Sequence, residues 1–98
     1  MFLIHRSIIR LYLNQARFDD AYIHLERTKP YTGNNTHHLG LAMDMQARIL
    51  DGQGRFEEAR SAVLDAIHIF EGLGAAQDLE LSRKLLQRIE KKMRIPAT

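Results

Sequence analysis

Arg6 and Arg10 are the residues of this 98-residue chain whose type and spacing most directly suggest ligand chemistry. Two arginines at positions i and i+4 of a helix lie on one face, and their guanidinium groups can together hold a carboxylate from a peptide terminus or an acidic segment. A solvated basic face would show the same pattern without any ligand. Asp44 and Arg48 have the same spacing, but their opposite charges favour a pair with each other.

The chain lacks the residue patterns of common catalytic, metal and cofactor sites. Its histidines form no pair at positions i and i+4, since His37 and His38 are adjacent and His5, His24 and His68 are isolated. It contains no cysteine, which excludes disulfides and thiolate ligands. A glycine-rich phosphate loop and a nucleophile elbow are also lacking. We therefore expect no enzymatic activity, no metal and no cofactor.

The net charge and the hydropathy of the chain disfavour nucleic acids and membranes as partners. The net charge of +2 is a mild basic bias and falls short of the clustered excess of dedicated nucleic-acid binders. A basic nucleic-acid-binding helical domain is thus a less favoured interpretation, and it would predict an affinity that falls steeply with salt. The apolar start at Met1–Ile4 is interrupted by His5, Arg6 and Arg10, so it is too short for a signal peptide or a spanning helix. We expect no membrane association and a cytoplasmic location.

Apolar periodicity and turn residues predict an all-α fold in a single domain covering residues 1–98. The expected helices run over about Phe2–Leu13, Arg17–Lys29, Thr36–Leu50, Arg55–Glu71 and Ala76–Met93. They form hairpin 1 (about 2–29), hairpin 2 (about 36–71) and a capping helix (about 76–93). Thr36 is the expected N-cap of the third helix. Tyr22 is expected in the core, and Met93 is expected at the end of the buried stripe of the last helix.

The two hairpins carry the same pattern 38 positions apart. Arg17-Phe18-Asp19-Asp20-Ala21 recurs as Arg55-Phe56-Glu57-Glu58-Ala59. A fixed period of this size is typical of stacked helix–turn–helix repeats. The aromatic and small residues at matched offsets let two helices pack closely, because the ring fills the space left by the alanine.

Hairpin 2 resembles a tetratricopeptide repeat (TPR), and the residues that carry the resemblance are Ala47, Leu50, Gly54, Phe56, Ala59 and Ala66. Hairpin 1 keeps Tyr12, Phe18, Ala21 and Leu25, but Ile9 and Thr28 stand where small residues are expected. The period also exceeds the usual ~34 residues of this family. The stretch 70–78, followed by 85–90, is similar to the last repeat and closing helix of arrays in fungal nucleotide-binding STAND-type signalling proteins.

The resemblance implies a right-handed α-α superhelix of about two hairpins plus a capping helix. In such arrays the first helix of each hairpin lines a concave groove, and the matching positions are Leu3, Arg6, Arg10, Asn14, Leu41, Asp44, Arg48 and Asp51. It further implies a protein–protein interaction module that binds a peptide or helix in this groove, within a larger signalling or scaffold protein. The family's carboxylate clamp needs Lys, Asn and Arg residues across three hairpins, so binding of chaperone tails is not supported.

The two ends of the predicted array differ. The last helix has a polar outer face, whereas the first helix carries apolar residues on all sides and has nothing before it to cover them. Either the chain is the C-terminal piece of a longer array, or a second copy covers the exposed residues Phe2, Ile4, Ile8 and Leu11. We expect a homodimer for the isolated chain. A self-association module without a separate ligand is therefore the alternative function.

Overall fold

The computed structural model describes residues 2–28 and 35–94, with side chains for residues 8–27 and 35–94. Within these ranges the chain is all-α and has no strand. Its helices are α1 (Phe2–Asn14), α2 (Phe18–Thr28), α3 (Thr36–Gly52), α4 (Phe56–Leu73) and α5 (Ala76–Arg94). Each predicted helix is present, and its described ends lie within a few residues of the predicted ones; the predicted end of α2 at Lys29 lies outside the described residues. No helix in this part of the chain combines the length and hydropathy needed to cross a membrane.

The N-terminus of α3 is capped by Asn35, so the prediction of Thr36 as the cap was wrong. The Asn35 backbone is extended, and its side-chain Oδ1 accepts a hydrogen bond from the backbone N–H of His38 at 3.0 Å. Asparagine and threonine can both satisfy this donor, and the preference between them is small. Thr36 is consequently the first helical residue instead of the cap.

The turns inside the two hairpins share one backbone geometry. Arg17 and Arg55 occupy the same position of the repeat. The residue before each of them has a left-handed backbone conformation, with φ of 57° at Ala16 and 78° at Gly54. The same hydrogen bond closes both turns at 2.9 Å, from Arg17 N–H to Tyr12 C=O and from Arg55 N–H to Leu50 C=O. Each arginine then pairs three residues on, Arg17 with Asp20 and Arg55 with Glu58. The repeat in the sequence is therefore also a repeat in local structure.

The helices pack in two layers. Within the hairpins α1 packs on α2 and α3 packs on α4, and α5 packs on α4 as the next helix of the series. α3 also contacts both helices of hairpin 1, α1 and α2, and it contacts α5. The helices α1, α3 and α5 thus lie side by side in one layer, and α2 and α4 form the other. The resulting slab measures 45 × 30 × 17 Å.

Two clusters of buried side chains form the core. One joins hairpin 1 to α3 and α4 and comprises Ile9, Ala21, Leu25, Leu41, Ala42, Met45, Ile49, Ala66 and Phe70. The other lies among α3, α4 and α5 and comprises Ala47, Leu50, Ala59, Ala62, Val63, Ile67, Leu85 and Ile89. The equivalent alanines Ala21 and Ala59 are fully buried, which permits the close approach of the helices around them.

Two predicted core positions are instead partly exposed. Tyr22 and Met93 each keep 37% of their surface in solvent. Tyr22 lines a cleft between α2 and hairpin 2. The buried residues of α5 are Ser82, Leu85 and Ile89. The buried face of the helix is therefore rotated away from the face on which Met93 was predicted to be buried.

The junction between the hairpins depends on close contact between Phe18 and Gly52. A Cβ atom at Gly52 would overlap the Phe18 ring, so the ring lies directly on the last turn of α3. Phe56, the counterpart of Phe18 in hairpin 2, lies below the ammonium group of Lys92 from α5, which is 5.6 Å from the ring centroid. In each hairpin the aromatic residue after the turn therefore contacts the end of the next first-layer helix.

Candidate binding groove

A groove of about 580 Å³ runs across the layer of α1, α3 and α5. Its position follows from the repeat, since α1 and α3 are the first helices of their hairpins and α5 continues their layer. All three helices contribute polar side chains, and α3 and α4 supply apolar groups beneath them. The groove combines charged and apolar groups.

The groove brings together the predicted ligand-contact residues whose side chains are described. These are Arg10 and Asn14 from α1 with Leu41, Asp44, Arg48 and Asp51 from α3. On α3 they lie three or four positions apart, so they share one face of the helix. The side chains of Leu3 and Arg6 lie outside the described residues.

Asp44 is held by two neighbours instead of being free for a ligand. Its carboxylate accepts a hydrogen bond from Arg48 Nε at 2.8 Å, which is the pair predicted from their spacing. It also accepts one from the hydroxyl of Ser82 at 3.0 Å, and Ser82 is only 1% exposed. Asp44 thus fixes α5 against α3 and holds the Arg48 guanidinium along the groove.

Asp51 is engaged in the same way at the other end of α3. Its carboxylate is 5% exposed and lies 3.2 Å from Arg88 Nη2 and 2.9 Å from Lys92 Nζ. Both cations come from α5, and both remain substantially in solvent. The carboxylate therefore anchors α5, while the outer parts of the two cations face the groove.

The third carboxylate of the groove, Asp78, is paired with His37. The distance between His37 Nε2 and Asp78 Oδ2 is 2.8 Å. The His37 ring also packs against Phe70, with 5.9 Å between ring centroids. This contact connects the start of α3 to the start of α5 and leaves no groove carboxylate without a partner among the described residues.

Arg10 is the exception among the charged groups of the groove. It is exposed, and within the described residues its guanidinium has neither a hydrogen-bond partner nor an ion-pair partner. Four cations and three carboxylates line the groove, and Arg10 is the cation that has no carboxylate of its own. The free guanidinium gives the α1 side of the groove an uncompensated positive charge.

Apolar groups form the floor and one edge of the groove. Leu41, Met45 and Phe70 belong to the first core cluster and present their edges to the groove. Leu81 from α5 is 49% exposed and forms an apolar edge opposite α1. An apolar side chain entering the groove would therefore find contacts on two sides.

The contribution of α5 to the groove was missed by the sequence interpretation, which treated this helix as a cap. Ser82 lies 38 positions after Asp44, so the repeat period indicated that α5 contributes to the groove. No comparable signal existed for Arg88 and Lys92. Their approach to Asp51 depends on how α5 docks, which its own sequence does not specify.

The predicted self-association residues are described only in part. Leu11 is 57% exposed and Ile8 is half-buried. The side chains of Phe2 and Ile4 lie outside the described residues.

Comparisons with family models, curated proteins and solved structures returned no match for this chain. Among the described residues, no three His, Cys, Asp or Glu side chains come together as a group able to hold a metal ion.

Proposed function

We propose that this chain is a TPR-like protein-interaction module that binds an acidic peptide segment in the groove of α1, α3 and α5. The observation that carries the proposal is the unpaired guanidinium of Arg10 beside an apolar floor. The module would belong to a larger signalling or scaffold protein, and it has no catalytic role.

The TPR-like arrangement is supported by the repetition of structure along the chain. The two hairpin turns share their left-handed residue, their closing hydrogen bond and their ion pair at a spacing of 38 residues. The first helices of the hairpins lie in one layer and form the groove. A continuation of the same stacking produces a superhelix with this layer on its concave side.

The ligand class follows from the charges that the protein leaves uncompensated. Asp44 and Asp51 are each paired with a cation and Asp78 lies within hydrogen-bond distance of His37, whereas Arg10 has no such partner among the described residues. A carboxylate on the ligand would complete the ion pair of Arg10, and the amide of Asn14 can bind the adjacent peptide backbone. The edge formed by Leu81 fits a large apolar side chain of the same peptide. We therefore expect a ligand with an acidic group and a large apolar group close together.

Nucleic acid is a poorer fit to the groove. Three carboxylates line it, and phosphates passing along α3 and α5 would approach Asp44 and Asp51. Binding to a phosphate backbone needs several free cations in a row, because each phosphate contact adds to the affinity. Among the described groove residues, only Arg10 offers a cation without a carboxylate partner.

The test is selection of peptides followed by charge reversal in the groove. A random library of short peptides is selected against the purified chain, and the recovered sequences are expected to combine Asp, Glu or a free C-terminus with a large apolar residue. For the best of these peptides, Arg10→Glu should weaken binding at least about tenfold, equivalent to about 1.4 kcal/mol, as measured by fluorescence anisotropy.

Lys91→Glu is the matched control for the Arg10 substitution. Lys91 is exposed on α5 and does not line the groove, so the variant makes the same change in net charge elsewhere. Its affinity should stay within about twofold of the unmodified chain, because exposed charges at a distance are screened. Equal losses in the two variants, or peptides that bind Arg10→Glu unchanged, would remove the groove from consideration.

A further inference from the structure

Hairpin 1 exposes a large apolar residue at a position where hairpin 2 buries one. On α1, Leu11 is 57% exposed; its counterpart 38 positions later, Ile49 on α3, is 0% exposed. Ile49 belongs to the cluster that joins α3 to hairpin 1. The same position of the repeat is therefore packed in hairpin 2 and exposed to solvent in hairpin 1.

The exposed face continues onto α2. In hairpin 2, Ser61 of α4 and Gln46 of α3 line the cleft that receives Tyr22 from the preceding hairpin. The counterparts of these two residues in hairpin 1 are Ile23, which is 51% exposed, and Ile8. Hairpin 1 thus carries isoleucines where hairpin 2 carries serine and glutamine, although its face has no neighbour among the described residues.

We infer that this face, defined by Ile8, Leu11 and Ile23 and called here the N-face, binds the N-face of a second copy of the chain. The contact is two-fold symmetric, with the α2 helices of the two copies antiparallel. Such an isologous contact produces a closed dimer, because each N-face is covered by the N-face of the other copy. The dimer leaves the groove open in both copies, since neither Leu11 nor Ile23 lines it.

The polar outer face of α5 makes a head-to-tail contact between copies less favourable than a symmetric one. A second copy stacked as the next hairpin would place its α5 against the N-face. The described outer residues of α5 are charged or polar and exposed, and they include Glu80, Arg83, Lys84 and Gln87. Exposed apolar residues at the N-face would gain little from such a surface, whereas a second N-face offers apolar residues of its own.

The charges at the two ends of α2 fit an antiparallel pair. Asp20 lies in the first turn of α2, and Arg27 lies in its last turn. Their counterparts in hairpin 2, Glu58 and Asp65, both line the cleft that receives the preceding hairpin, which places Asp20 and Arg27 at the two ends of the N-face. In an antiparallel contact, Asp20 of each copy approaches Arg27 of the other, and Arg17, which already pairs with Asp20, remains beside it.

The first experiment measures mass against concentration by sedimentation velocity between about 1 and about 200 µM, a range that covers micromolar to submillimolar dissociation constants. The unmodified chain is expected to convert from monomer to dimer across this range. Leu11→Glu combined with Ile23→Glu should remain monomeric with an unchanged helical circular dichroism signal, because both side chains are already exposed. A monomer at the highest concentration overturns the proposal, and so does a dimer that persists in the double variant.

Leu64→Glu combined with Leu73→Glu is the control for the loss of exposed apolar surface. These residues are 39% and 46% exposed on α4 and do not belong to the N-face. This variant is expected to dimerise as the unmodified chain does. If it is monomeric as well, association depends on general hydrophobicity and the N-face assignment is wrong.

A charge-swap pair tests the antiparallel arrangement. Asp20→Lys and Arg27→Glu should each dimerise at least about tenfold more weakly, because each creates two like-charge contacts across the two-fold axis. An equimolar mixture of the two variants should regain the dimer, since both contacts are then between opposite charges. Failure of the mixture to associate, or the appearance of species larger than a dimer in the unmodified chain, contradicts the symmetric contact.

Discussion

At the scale of single residues, the carboxylate of Asp51 is buried while its two partners stay largely in solvent. Its side chain is 5% exposed, compared with 54% for Arg88 and 38% for Lys92. A buried carboxylate without its cations is costly, whereas exposed cations can return to water. The two cations are therefore needed to offset the burial of the carboxylate, and the docking of α5 depends on all three residues.

Asp51→Asn is expected to lower the free energy of unfolding by about 1.5–3 kcal/mol, because the amide keeps the size of the side chain but loses two charge-assisted hydrogen bonds. Urea denaturation followed by circular dichroism measures the change. The control is Glu58→Gln, which removes the charge from an exposed ion pair with Arg55 and should cost less than about 1 kcal/mol. Equal losses would mean that the burial of Asp51 contributes nothing.

The charge pairs also show which contacts the sequence could predict. Asp44 and Arg48 are one turn apart on α3, so their ion pair depends only on helix geometry and was predicted. The contacts of Asp51 with Arg88 and of Asp44 with Ser82 connect residues 37 and 38 positions apart. They depend on the position and rotation of α5, which tertiary packing determines.

At the scale of the elements, the helices were predictable because turn residues and apolar periodicity agree along the chain. The left-handed Gly54 and the apolar stripe of α4 indicate the same hairpin. The rotation of α5 was less predictable, because apolar residues occur on more than one side of it and Leu81 remains 49% exposed. Ser82 lies in the buried stripe of α5, where its hydroxyl donates a hydrogen bond to Asp44.

The contact between Phe18 and Gly52 gives an element-scale prediction about hairpin docking. Gly52→Ala should destabilise the fold by about 1–3 kcal/mol, since its Cβ would push the Phe18 ring away from α3. Gly72→Ala, in α4, should instead stabilise by about 0.5–1 kcal/mol, because beyond the neighbouring residues and backbone of its own helix no heavy atom lies within 4 Å of the added methyl group, and alanine favours helix. Thermal and urea unfolding of both variants measure the difference.

A double substitution separates the contact from any effect of Gly52 on the end of α3. In a Phe18→Ala background, Gly52→Ala should cost less than half of what it costs alone, because the ring that it displaces is missing. If the two substitutions are additive, the penalty comes from the helix end and the two residues do not depend on each other.

At the scale of the whole molecule, stability is spread unevenly along the chain. α3 is packed on several sides, and α4 is packed between α3 and α5, whereas α1 contacts α2 and only part of α3. Proteins built from successive hairpins open locally from their least covered end. The α1–α2 hairpin should therefore open more often than the rest of the described chain.

Hydrogen exchange of the backbone amides tests this gradient. At concentrations below the dimer range, amides in α3 and α4 are expected to exchange only with global unfolding, and those in α1 at least about tenfold faster. At high concentration the proposed dimer should slow exchange in α1 and α2 selectively. Uniform protection of all helices at low concentration would show that the chain unfolds as a single cooperative unit.

The first core cluster joins residues that the ribosome synthesises at different times. Ile9, Ala21 and Leu25 are synthesised before Met45 of α3 and Phe70 of α4, which belong to the same buried cluster. Synthesis proceeds at about 5–20 residues per second, so the first hairpin waits several seconds for the residues that cover it. During that interval its apolar face is available to chaperones and to neighbouring nascent chains.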